Sequence, residues 1–358
     1  MRREWWRVIV VVAAGAAAVW PLPPALADQR FGRVWYPMIQ RALTSTSNLA
    51  PVALLDVLVI LAAAVVVWGA VSVWRSARGT RGRIALRRLW QGLTVAAAGY
   101  LAFLAVWGLN YQRPPVTDRV DFDRGRITLE AVRALNATSL EELIRARAGL
   151  PARLEVWPSR DQVARDLQPR LAGAAAALGL PSTVVAGRPK FTLLDPYFTR
   201  AGVSGMTDPF FLETLMASNL LAFETPQVIA HEWGHLAGLA RESEASFFAW
   251  LVCVGGTPEA RYSAWVETFV LTLPALDREA RRARVDGLPA VVRADLKAAA
   301  ERTRRDEVQP LRLVAWATYD RYLKANRVDS GTQNYGEVVQ LLVGTRFERG
   351  WRPARRIH

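Results

Sequence analysis

Two of the three histidines in this 358-residue chain stand four apart, in His231-Glu232-Trp233-Gly234-His235. Residues i and i+4 of a helix share a face, so both imidazoles can reach one metal ion while Glu232 lies alongside as a general base for water. This H-E-x-x-H order is that of zinc hydrolases, and the cofactor it asks for is Zn2+. A packed pair of core histidines would use the same letters, but the flanks favour a site. Thr225-Pro226 offers a capping side chain followed by proline at the first helical position, and Gly238 offers a terminating glycine; together they predict a helix from about residue 226 to 237. Val228, Ile229, Leu236 and Ala237 make that helix apolar, as suits one packed inside a domain.

A catalytic zinc keeps one position open, so two histidines and one carboxylate would complete the set. The next helix, predicted from about residue 242 to 254, carries both Glu242 and Glu244. Glu242 shares a stripe with Ala245 and Ala249, small residues that permit close approach, whereas Glu244 shares its face with Phe248 and Leu251. The stripe favours Glu242 as the metal ligand, with Glu244 as the partner of a histidine or the alternative ligand. Two solvated glutamates favoured by the helix dipole are the competing reading. Tyr262, Tyr335 and Arg241 are candidates to stabilise an oxyanion, and the sequence does not choose among them. The predicted chemistry is metal-assisted hydrolysis of a peptide bond, with Glu232 taking a proton from water and passing it to the leaving amine. Two other readings stay open: a membrane sensor or assembly factor that holds metal without turnover, and a hydrolase of a non-peptide amide or ester from the envelope.

The elements that must position these residues begin at a membrane. Hydrophobic residues are 51% of the chain and tryptophans number 14, with the apolar content concentrated in the first third. The run 50–74 carries one charge, Asp56, and the run 89–109 none. With a shorter apolar run near the start, this predicts three spans at about 8–27, 50–74 and 89–110, a membrane region 1–112 and a domain 113–358. The first stretch also reads as a signal peptide, with Arg2, Arg3 and Arg7 ahead of it and Ala25-Leu26-Ala27 as a cleavage site. Arg75, Arg78, Arg81, Arg83, Arg87 and Arg88 crowd the loop between the second and third spans without an acid, which holds that loop in the cytoplasm and puts the domain outside the cell membrane. This loop inflates the net charge of +14, so the basic balance implies no nucleic-acid partner. The expected partners are the bilayer and a peptide or protein substrate of the envelope; the oligomeric state is unknown. The lone cysteine, Cys253, excludes a disulfide framework or a cysteine-rich zinc site.

Beyond the spans, the periodicity predicts a mostly α fold with a small β-sheet, α+β in class. Helices are expected over 129–148, 160–178, 259–276, 278–303 and 308–325, with 334–343 closing the fold. Short β-prone runs within 190–194 and 202–221 predict a small sheet whose edge strand lies beside the motif helix, where an extended peptide could pair with it. Residues 110–115 read as a polar exit and a proline-rich linker.

A set of short motifs then resembles the DUF3810 family, an uncharacterised group of bacterial membrane proteins that pair amino-terminal spans with an H-E-x-x-H domain. The matching residues are Trp107 to Tyr111, Ser204-Gly205-Met206, Pro209-Phe210, His231 to Gly238, Glu242 to Ala245, Tyr262-Ser263, Tyr322 to Asn326 and Asn334-Tyr335-Gly336. The resemblance implies a membrane-anchored, zincin-like site with no known substrate. Where that family usually has Glu-Ala-Asn, this chain has Glu244-Ala245-Ser246. The site is also similar to two better-known zincin groups. Arg241 stands where the metzincin pattern needs a third histidine, whereas Glu242 with Ser246 resembles the Glu-x-x-x-Asp ligand helix of gluzincins, with Ser in place of Asp.

Overall fold

The computed structural model describes residues 5–328 and 336–356. Helix α1 (Trp5–Val19) is followed by Pro21, Pro23 and Pro24, which deny the chain the bonds to continue, and the path turns by 113° into α2 (Pro24–Leu49). Within α2 the stretch Ala27–Trp35 is wound as a π-helix. Helices α3 (Leu54–Trp74) and α4 (Arg81–Val106) are each long and apolar enough to cross a membrane. The expected three spans thus become two, or three if α1 and α2 together count as one broken crossing. Length is the reason, because the 15 residues of α1 rise roughly 22 Å against a hydrocarbon core of about 30 Å.

Serine, threonine and aspartate open many of the helices that follow. Thr128 caps α5 (Leu129–Ala148) by accepting from the Ala131 N–H, and Ser159 caps α6 (Arg160–Ala177) through Gln162. Strand β1 (Pro189–Lys190), helix α7 (Asp195–Ala201) and strands β2 (Gly205–Thr207) and β3 (Thr214–Met216) come next. Then follow the motif helix α8 (Thr225–Leu236), α9 (Glu242–Val254) and α10 (Pro258–Thr272), the last capped by Thr257. The helix expected over 278–303 is two, α11 (Arg278–Asp286) and α12 (Ala290–Asp306), because Gly287 and Pro289 interrupt it. Helices α13 (Gln309–Ala325) and α14 (Glu337–Gly344) and the hairpin of β4 (Phe347–Glu348) and β5 (Arg352–Pro353) complete the chain. The three-stranded sheet has the order β1-β3-β2, with β3 parallel to β1 and antiparallel to β2. The fold is therefore mostly helical with a small sheet.

One core spans what the sequence divides at residue 112. Phe31 and Tyr36 of α2 and Trp107 and Tyr111 after α4 belong to the same buried cluster as Trp233, Phe248, Trp250 and Trp265. The stretch 110–115 is accordingly no free linker: Arg113 is buried and pairs with Asp28 at 3.0 Å, while Arg119 reaches the same carboxylate at 2.6 Å. Cys253 lies buried and free in this core.

Candidate metal centre

The motif helix is finished more tightly than it is begun. At its start Thr225 is already helical, and Glu224 takes the capping position, its Oε2 accepting the Leu221 N–H at 2.8 Å. At its end Gly238 adopts φ +88°, a conformation that costs other residues strain. The Gly238 N–H then reaches His235 O at 2.8 Å and the Leu239 N–H reaches Gly234 O at 3.1 Å, a Schellman closure. Two groups from elsewhere satisfy the carbonyls left over. The Tyr36 hydroxyl donates to Leu236 O at 3.0 Å, and Arg113 donates to Gly238 O at 3.2 Å, placing a cation at the negative end of the helix.

This turn also fixes the histidines. Leu239 O sits 2.7 Å from His235 Nδ1. A carbonyl only accepts, so Nδ1 carries the proton and Nε2 of the neutral ring presents a lone pair. That Nε2 faces Glu242 Oε1 at 3.6 Å, while His231 Nε2 lies 3.0 Å from Glu242 Oε2. His231 Nδ1 is held by Ser246 Oγ at 3.1 Å. Helix α9 can bring Glu242 so close because Gly234 has no side chain: a Cβ there would stand 3.0 Å from both the Cα and the carbonyl oxygen of Ala245.

His231, His235 and Glu242 thus offer three ligand atoms within 4.8 Å of one another. Burial disfavours an imidazolium at His235, yet the Glu242 carboxylate outweighs it and raises that pKa to about 9; the same histidines hold Glu242 well below the usual carboxylate range despite its burial. A lone pair and a carboxylate facing each other in a buried site require a cation between them, either a proton or a metal. Two imidazole nitrogens and a carboxylate are a donor set that zinc accepts, and the residues fit that ion.

Glu232 sits beside these three residues, buried, its Oε2 accepting the Thr207 hydroxyl at 2.9 Å while the same hydroxyl also reaches its backbone carbonyl. Burial raises its pKa. Thr207 belongs to β2, so the edge strand lies against the motif helix as the sequence predicts. Glu267 on α10 is pushed up to about 7 by burial, although His231 and a hydrogen bond with Gln227 pull it down.

Several expected residues are elsewhere. Glu244 contacts neither histidine; its Oε1 accepts the Val116 N–H at 2.8 Å and lies 3.4 Å from Arg241, whose guanidinium is thereby turned to that carboxylate. Tyr262 is spent in the core, donating to Asp295 Oδ2 at 2.7 Å beside the Arg147–Asp295 ion pair. Tyr335 lies outside the described residues. In their place stands Tyr319 of α13, whose hydroxyl donates to Glu242 Oε1, with Tyr322 stacked against it at 5.9 Å and bonded to Tyr111. The i, i+3 spacing of Tyr319 and Tyr322 on one helical face was the signal for this pair.

A helical α+β chain with long apolar amino-terminal helices and a buried His-His-Glu cluster is the class that fold and site define. Its sequence matches the family described as protein of unknown function (DUF3810) over residues 31–343, and the chain belongs to that family. No curated protein and no solved structure matches it.

Proposed function

We propose that this protein is a membrane-anchored, zinc-dependent peptidase with its carboxyl-terminal domain, residues 113–358, on the outer side of the cell membrane. The observation that carries the reading is the meeting of His231, His235 and Glu242 within 4.8 Å, with the Glu232 carboxyl alongside. Zinc, when bound by those three residues, would supply Lewis acidity toward a substrate carbonyl. The remaining work falls to the chain. His235 is held in the ligating tautomer by the Leu239 carbonyl, and the His231 ring is oriented by Ser246 Oγ. Glu232, with its basicity raised by burial and its orientation set by Thr207, accepts the proton of the attacking water and delivers it to the leaving amine. Tyr319 places a hydroxyl at Glu242, next to the metal position, where it can turn to a developing oxyanion. The outer edge of β2 offers backbone groups to an extended peptide, which favours a peptide over a small amide or ester.

The test is Glu232→Gln, which keeps shape and removes basicity. The purified variant is expected to retain about one zinc per chain while peptide turnover falls by a factor on the order of 10² or more. Loss of the metal would make Glu232 a ligand instead. Undiminished turnover would remove Glu232 as the base, absence of peptide turnover in the unsubstituted protein would remove the peptidase reading, and a cellular phenotype that survives the substitution would leave a site that holds metal without catalysis.

A further inference from the structure

The ends of the two long apolar helices converge on the site from different sides. Trp107, the residue after α4, stands edge-on to His235 with ring centroids 5.9 Å apart, so one of the ligands is a single aromatic ring away from the helix end. Helix α3 begins on the opposite flank. Its Leu55 N–H donates to Glu213 Oε2 at 3.0 Å, and its Leu55 packs with Leu215 of β3, the strand that pairs with the Thr207 strand holding Glu232. Because α3 and α4 are joined by a short loop at their far ends, their near ends lie on the same face of any membrane that both cross.

Exposed apolar side chains continue from those helix ends. The carboxylate of Asp56, in the first turn of α3, fixes the loop at Thr192 and Leu193 by bonds of 2.5 and 2.9 Å, and that loop leaves Phe191 and Leu193 60% and 69% exposed. Helix α13 bridges the two flanks. Its start is tied to α7 by Val308 N–H to Arg200 O at 2.9 Å, and near its end Tyr322 meets Phe103 of α4 at 6.3 Å. Between these points it places Tyr319 on Glu242 and leaves Leu313 and Val314 68% and 64% exposed. Apolar side chains so exposed, continuous with membrane-crossing helices, fit the interfacial layer of a bilayer rather than water.

We infer that the site works at the bilayer surface and that its substrates are membrane-anchored chains, cut close to where they leave the lipid. This rests on the peptidase reading and narrows it. At about 3.3 Å per extended residue, a metal centre one ring from a helix end reaches the first handful of residues outside the membrane, roughly three to eight. A chain free in solution gains nothing from this placement, whereas one anchored in the same bilayer is concentrated at the site.

The experiment uses full-length, zinc-loaded protein in vesicles of phosphatidylethanolamine and phosphatidylglycerol. One probe is a randomised octapeptide library fused to a hydrophobic transmembrane anchor, and the other is the same library without the anchor. Cleavage of the anchored library is expected to be faster by a factor on the order of ten or more, with cuts near the anchor, and to vanish with Glu232→Gln. Equal cleavage of both libraries would overturn the anchored-substrate assignment while leaving the peptidase reading in place; cleavage of neither would overturn both. Placement is read separately from activity. Phe191→Cys and Leu313→Cys, each labelled with a fluorophore in a chain whose one native cysteine is buried, are expected to be quenched by lipids with nitroxide headgroups. Absence of quenching at both positions would overturn the inference even if peptides are cut.

Discussion

Replacing Glu242 by Ala removes the carboxylate that both imidazoles face and leaves two histidines, too few to hold zinc tightly. Glu244→Ala removes something different, the acceptor for the buried Val116 N–H. Zinc titration against a competing chelator is therefore expected to show affinity collapsing in the Glu242 variant and nearly unchanged in the Glu244 variant, while the latter loses about 1–3 kcal/mol of folding stability for the unpaired donor. Reversed outcomes would exchange the roles. At this scale His231, Glu232 and His235 were legible because spacing on a single helix decides which side chains share a face, and Glu242 was legible because its stripe of alanines allowed close packing. Glu244 was misread because its partner is a backbone N–H 128 residues away. Tyr319 was missed for the same reason, its contact with Glu242 spanning 77 positions.

Among the elements, the crossing of α8 and α9 is the joint on which the centre depends. Gly234→Ala puts a methyl group 3.0 Å from the Ala245 backbone, which no side-chain rotation can relieve. Helix α9 must then move, carrying Glu242 at its first residue away from the histidines. The variant is expected to lose about 1–3 kcal/mol of stability on thermal unfolding and to bind zinc more weakly in the same chelator competition. Gly173→Ala supplies the contrast, since the added methyl in α6 meets nothing within 4 Å and should stabilise by about 0.5–1 kcal/mol. Helices with a local start signal were readable to within a residue or so, as α5 and α6 show. The break at Gly287 and Pro289 carried its signal in plain view, yet the amphipathic pattern on either side masked it. What no local pattern announces is that α2, turned by 113° from α1, packs behind the motif helix.

For the molecule as a whole, the arginine-rich loop between α3 and α4 sets the expected orientation. A reporter active only outside the cytoplasm is expected to work when fused after Tyr111 and to fail when fused at Gly82, and the opposite pattern would move the site to the cytoplasmic side. Fold class followed from periodicity, and the family from short motifs along most of the chain, but the single core could not be read from either. It is assembled from contacts such as the one between Tyr36 and Leu236, 200 positions apart. That contact has a consequence for biogenesis. During synthesis at about 5–20 residues per second, α2 waits roughly 10–40 s for the helix whose end it closes. By then the whole of α3 and α4 has been made, so the helix that carries His231 and His235 emerges only after the long apolar helices. A newly made chain therefore closes the motif helix late, and a chain expressed from residue 113 onward would lack the tyrosine that completes that helix.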